Sequence, residues 1–269
     1  MKRVRGILLA IVLVLAVTLV AVLLFRNRFG TENLLTPEEM YVLGTNYYDG
    51  EGVEQDYAQA IEWWKKAAEA ENTDAMVWLG YCSQKGIGVD EDDEAGASWY
   101  QKASDAGDEH AMYNLACCYY HGEGVEQNHK TAVEWWKKAA DAGNAGAMNW
   151  LGYCYDEGLG VEQNYKAAVE WYQKAADAGN AGAMNGLGLC YYNGDGVEQS
   201  YETAVEWWTK AADAGNADAM RNMGVCYETG HGVEQDYEAA LEWYCAAQSA
   251  GLENAAEDIK RVEQKMAGE

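Results

Sequence analysis

The sequence predicts an all-α solenoid of six helix-turn-helix repeats, closed by a C-terminal capping helix and preceded by one transmembrane helix. Three observations predict it: a strict 36-residue period, apolar residues at helical spacing inside each period, and a long apolar run near the N-terminus. Met40, Met76, Met112, Met148, Met184 and Met220 stand 36 residues apart, and so do Gly52, Gly88, Gly124, Gly160, Gly196 and Gly232. Trp63, Trp99, Trp135, Trp171, Trp207 and Trp243 keep the step, as do Cys82, Cys118, Cys154, Cys190 and Cys226 from the second repeat onward. Self-similarity at a period of roughly 20–50 residues marks a repeat architecture. The units are 39–74, 75–110, 111–146, 147–182, 183–218 and 219–254, with 255–269 beyond them.

Residues 1–6 form a basic flank with Lys2, Arg3 and Arg5, and 7–25 is an apolar run whose only polar member is Thr18. As a helix rising 1.5 Å per residue, such a run reaches across a hydrocarbon core of ~30 Å. The competing reading is a cleaved signal peptide, whose apolar region is usually ~7–15 residues and ends in a small-residue cleavage site. Here Arg26 and Arg28 follow directly, as expected of an uncleaved anchor. The basic excess before the run favours a cytoplasmic N-terminus, with the repeats outside the cytoplasm; a cleaved signal would instead export them as a soluble domain. The linker 26–37 holds the only proline. Thr36 and Pro37 read as N-cap and first helical residue, with Glu38 and Glu39 complementing the helix dipole.

Repeat four shows the pattern of a unit most clearly. Met148, Leu151, Gly152 and Tyr155 share one face of a first helix over about 147–157. Gly158 and Gly160 break it, since glycine tolerates positive φ. Tyr165, Ala168, Val169, Tyr172, Ala175 and Ala176 form the apolar face of a second helix over about 165–178, and Gly179 ends it. No segment alternates with the period of a strand. One such pair cannot bury enough apolar surface to offset its ordering entropy, so each repeat leans on its neighbours. Ala255, Ile259 and Val262 continue the packing pattern beside polar Glu257, Asp258, Lys260 and Arg261, so 255–266 reads as the capping helix. Repeat two, with Asp93, Gly96 and Ser98 where repeat four has Tyr165, Ala168 and Glu170, is expected to be the softest. Repeat one has Glu71 where Gly143 and Gly179 stand later.

The chain carries a formal charge of −25, and all 44 acidic residues lie beyond residue 30 against 14 of the 19 basic ones, so 31–269 holds −30. Such a field repels phosphate backbones and draws cationic partners, so nucleic-acid binding is not expected. Aromatics at 12% and strict apolar periodicity separate the chain from disordered sequences.

The motifs A-M-x-x-L-G-x-C-Y, G-x-G-V-E-Q, A-V-E-W-[WY]-x-K-A-A and D-A-G-N-A resemble Sel1-like repeats, relatives of tetratricopeptide repeats, over 39–254 in six copies. The resemblance implies a right-handed α/α solenoid and a role as adaptor or assembly scaffold. By similarity to tetratricopeptide repeats, the partner groove is lined by residues just after the core methionine, one turn later and two turns later. Those are Tyr41, Tyr48, Tyr81, Tyr113, Tyr120, His121, Asn149, Tyr153, Asn185, Tyr192 and Arg221, positions that vary between units while the packing positions repeat. Tyrosine and asparagine offer contact area with hydrogen-bonding tips; tolerated drift on a solvated face would give the same pattern. Some cysteine-rich relatives staple the second helix to the following first helix, but the matching positions here, such as Ala140 and Met148, carry no sulfhydryl.

Catalytic and metal chemistry find little support. First-helix cysteines in stacked repeats lie ~8–10 Å apart, beyond the ~4.4–6.8 Å of a disulfide, so small buried thiols are expected, with Cys245 out of register. Cys117, Cys118 and His121 resemble one metal half-site without a second. The acidic run Asp90 to Glu94 lacks the glycine of a calcium loop and reads as a solvated helix start. Pairs such as Trp135–Trp136 and Trp207–Trp208 recur in packing register, and no nucleophile motif is present. The expectation is a non-enzymatic, membrane-anchored adaptor that binds a protein or peptide, with a basic partner favoured and no cofactor. The alternatives are an envelope protein that binds a cell-wall glycan through groove aromatics, and a plain spacer.

Overall fold

The computed structural model describes residues 35–268, and their regular structure consists of thirteen α-helices. The chain divides into two compact units, one ending at Asn128 and the other beginning at His129. The first unit holds α1 (Pro37–Asp49), α2 (Tyr57–Glu69), α3 (Thr73–Lys85), α4 (Asp93–Asp105) and α5 (Glu109–His121). The second holds α6 (His129–Asp141), α7 (Ala145–Glu157), α8 (Tyr165–Asp177), α9 (Ala181–Asn193), α10 (Tyr201–Asp213), α11 (Ala217–Thr229), α12 (Tyr237–Ser249) and α13 (Ala255–Ala267).

Side chains set the helix ends. Thr36 and Glu39 form a capping box at α1, with Pro37 at the first helical position, where its missing N–H has no helical partner to lose. Asn144 accepts a 2.8 Å hydrogen bond from the Ala147 N–H, and this cap starts α7 at Ala145, two residues earlier than apolar spacing alone indicates. At its other end Gly158 adopts φ +71° and returns its N–H to the Cys154 carbonyl. Gln163 then donates 2.7 Å to the Asp156 carbonyl, satisfying an acceptor that the helix end leaves open. The equivalent glutamines Gln55, Gln127, Gln199 and Gln235 do the same, which explains the recurrent V-E-Q. The second glycine of the loop serves stacking: a Cβ on Gly160 would lie 2.4 Å from the His129 carbonyl oxygen.

In every repeat but the third, which has Ala116 at the position, packing centres on one aromatic ring laid against a glycine of the first helix. Trp64 is fully buried beside Gly44, and its indole N–H donates 3.2 Å to the Tyr41 carbonyl. Tyr100 lies on Gly80, Tyr172 on Gly152, Trp208 on Gly188 and Tyr244 on Gly224. The preceding tryptophan of each pair carries a lysine one turn on: Lys66, Lys102, Lys138, Lys174 and Lys210 sit 3.6–4.2 Å from the ring centroids of Trp63, Trp99, Trp135, Trp171 and Trp207. In α13, Ala255 and Val262 are buried as the apolar pattern predicts, but so is Asp258 at 2% exposure, because cations surround it.

The membrane placement is corrected. Among the described residues no helix is long and apolar enough to cross a membrane. Each spans 13 residues, about 20 Å at 1.5 Å per residue, short of a ~30 Å core. The expected transmembrane helix over 7–25 lies outside the described residues. The single-pass localisation drawn from it, with its sidedness, is withdrawn.

Candidate partner-binding site

Two recesses open on the first-helix faces, one in each unit, at matching repeat positions. In the first unit, Tyr48, Val77, Trp78, Tyr81 and Asn114 enclose ≈ 240 Å³. Trp78 of α3 stacks on Trp64 at 5.3 Å between centroids, meets Tyr48 at 5.0 Å, and takes the edge of Tyr81 at 5.8 Å. In the second unit, Asn149, Trp150, Tyr153, Tyr172, Gly182, Asn185, Gly186 and Leu189 enclose ≈ 290 Å³. Both recesses use the residues one, two and five after the core methionine.

The residues expected to line a groove fall into several settings. Tyr81 and Tyr153 are exposed, at 39% and 37%, and line the two recesses with Tyr48, Asn149 and Asn185. Tyr192 packs inward: its hydroxyl lies 2.8 Å from His231 Nδ1, and its ring is 4.9 Å from Tyr201 and 5.4 Å from Trp208. Tyr48 is shared, lying 5.2 Å from Tyr57 as well as lining the recess. Tyr41 contributes its carbonyl to Trp64 and to Thr45. Tyr113 is half-buried on α5, and Tyr120 meets His121 edge-on at 4.9 Å. Arg221 is engaged by Asp258 of α13.

Sequence reasoning passed over the position two after the methionine, held in turn by Val42, Trp78, Asn114, Trp150, Gly186 and Asn222. Its variability was the available signal, and in repeats two and four it lies three residues before a groove tyrosine, on the same helical stripe. Trp78 builds a wall there. Gly186 has no side chain, and the Tyr172 ring packs against it: a Cβ there would lie 2.9 Å from a ring carbon.

Electrostatics distinguish the two ends of the second unit. Asp156, in the last turn of α7, has its carboxyl pushed up to about 6 by burial and by the neighbouring charges of Glu157 and Asp195. Glu228, at the same position of α11, is held down at about 2 because Arg261 donates to it, with Tyr244 and Lys265 adding hydrogen bonds. All seven cysteines are free. Burial pushes the Cys82 thiol up to about 11 and those of Cys118, Cys154, Cys190 and Cys226 to about 12, the behaviour of inert core thiols.

Comparison with known proteins matches a Sel1 repeat model six times, at residues 40–72, 73–108, 109–144, 145–180, 181–216 and 217–252. No curated protein matches the chain. Among solved structures, a protective antigen from uropathogenic Escherichia coli is 35% identical with a TM-score of 0.75; the match covers 85% of this chain and 49% of the antigen's. This chain thus spans about half the length of that relative. A Sel1 repeat protein from Oxalobacter formigenes is 33% identical with a TM-score of 0.76, covering 80% of this chain and 88% of the other. An immunity protein from Pseudomonas aeruginosa, 20% identical with a TM-score of 0.52 over 80% of this chain and 81% of its own, shares the fold.

Proposed function

Because the chain belongs to the Sel1 repeat family, whose members are generally protein-interaction scaffolds, we propose that it is a non-enzymatic adaptor that binds a protein or peptide on the first-helix faces of its repeats. The observation that carries this reading is the pair of recesses at matching repeat positions, each walled by aromatic side chains with an asparagine amide at its edge. Aromatic area with hydrogen-bonding tips is the composition of a binding surface. The excess of acidic residues favours a basic partner and disfavours nucleic acid.

The test is capture of partners by the full chain at low and at high salt, beside Tyr81→Ala and Tyr153→Ala variants. The adaptor reading expects protein partners that bind more weakly at high salt and are lost with the tyrosines. Absence of protein partners at any salt overturns it. Sedimentation of the chain with purified cell-wall glycan, without protein partners, would replace it by the glycan reading.

A further inference from the structure

The chain contains its own example of how a recess of this kind is filled. At the C-terminal end, Arg261 of α13 reaches back to α11, with Nε 2.9 Å from Glu228 Oε1 and Nη2 2.8 Å from Oε2. Its guanidinium lies 5.9 Å from the centroid of the Tyr244 ring, and the Tyr244 hydroxyl donates 2.6 Å to Glu228. Two repeats earlier the same positions hold Asp156 for Glu228, Tyr172 for Tyr244, Leu189 for Arg261 and Gly186 for Asp258. The acid and the tyrosine are retained and the cation is missing.

Two consequences of that omission are visible. Tyr172 is 5% exposed and lines the recess, yet its hydroxyl makes no hydrogen bond among the described residues. Asp156, one methylene shorter than Glu228, is half-buried, and its carboxylate pairs with no cation among the described residues. Its charge acts on the Tyr172 phenol and the Cys190 thiol, and the charges that act on it, Glu157 and Asp195, are acidic. Tyr172, which feels the Asp156 charge, stands in the wall of the recess beside Gly186 and Leu189.

We infer that the Gly186 recess receives an arginine side chain of the partner, its guanidinium laid against the Tyr172 ring with Asp156 as counter-ion. Arginine suits the walls better than lysine. Its guanidinium is planar and weakly hydrated and stacks on aromatic faces such as Trp150, Tyr153 and Tyr172, while its forked donors can serve a carboxylate and a hydroxyl together. A cation beside Asp156 would offset the acidic charges of Glu157 and Asp195 that act on it. The assignment rests on the adaptor reading and specifies what the second unit would recognise.

Selection of peptides from a randomised display library on the immobilised full chain separates the two. The expected result is peptides that share an arginine, and replacement of it by citrulline, which keeps shape and loses charge, weakens binding about tenfold. Asp156→Asn should show the same loss for the arginine peptide and none for the citrulline peptide, with an unchanged circular dichroism spectrum. Leu189→Arg, which supplies the cation from within, should block the arginine peptide. Selected peptides with no arginine preference, or equal binding to Asp156→Asn, overturn the arginine assignment and leave the adaptor reading standing. Selection of no peptide at all overturns both.

Discussion

Gly152 lies so close to Tyr172 that a Cβ on it would come within 2.5 Å of a ring carbon. The recurrent glycine in the middle of the first helix therefore makes room for the aromatic ring, at some loss of helix propensity. Gly152→Ala is expected to cost ~1–3 kcal/mol, the usual range for overpacking a filled core. Ala116 at this position of repeat three shows that the fold accommodates a methyl group once, which points to the lower half of the range. Denaturant unfolding checks it, and a Gly152→Ala/Tyr172→Ala double variant should show less than additive loss.

Glu228 anchors the capping helix through Arg261 and Lys265 while accepting from Tyr244. Its folded pKa of about 2 lies below the usual glutamate value, so its contribution is present above pH ~4.5 and is lost as pH falls toward 2. Glu228→Gln should lower stability by about 1–3 kcal/mol at pH 7, since Arg261 and Lys265 lose their counter-charge, and by much less at pH 3. Urea titrations at the two pH values measure this. An equal loss at both would mean that packing, not charge, holds α13.

Helix pairs, their period and the packing residues were legible in the sequence because each repeat buries the same face and the glycine turns recur. The caps were half legible: Asn144 lies before the apolar stripe begins, so spacing alone started α7 late. The recess was legible only in part. Tyr81 lies on the wall of the first unit's recess and Tyr153, Asn149 and Asn185 on that of the second, but Gly186 matters for what it lacks, which no search for functional side chains finds. The phenol of Tyr192 pairs with His231, 39 residues away, and no local pattern reports such a contact.

Glu71 is the only non-glycine residue with positive φ among those described, at +65°, where the later repeats place Gly107, Gly143, Gly179, Gly215 and Gly251. A side chain in this left-handed region costs roughly 1–2 kcal/mol. Glu71→Gly relieves that strain but loosens the unfolded chain, so a net gain of ~1 kcal/mol is expected in thermal unfolding. A loss would mean that the Glu71 side chain makes a contact worth more than the strain.

Asp156 runs opposite to Glu228. Its carboxyl is raised from the usual aspartate value to about 6, so the fold favours the protonated form. The associated stability is fully present below pH ~4 and is lost as pH rises through about 6, leaving an ionised, half-buried carboxylate beside Glu157 and Asp195 at neutral pH. Asp156→Asn keeps the shape and removes the charge. Its melting temperature should exceed that of the parent at pH 8, and the two should converge as pH falls to about 4. Tyr172 and Cys190, the other titratable groups that feel Asp156, stay neutral over this range, since burial raises both. A half-buried carboxylate that destabilises the free protein at neutral pH carries a cost that a bound cation would remove. Equal melting temperatures at pH 8 would show that solvent already screens the charge, and would take away that incentive for binding.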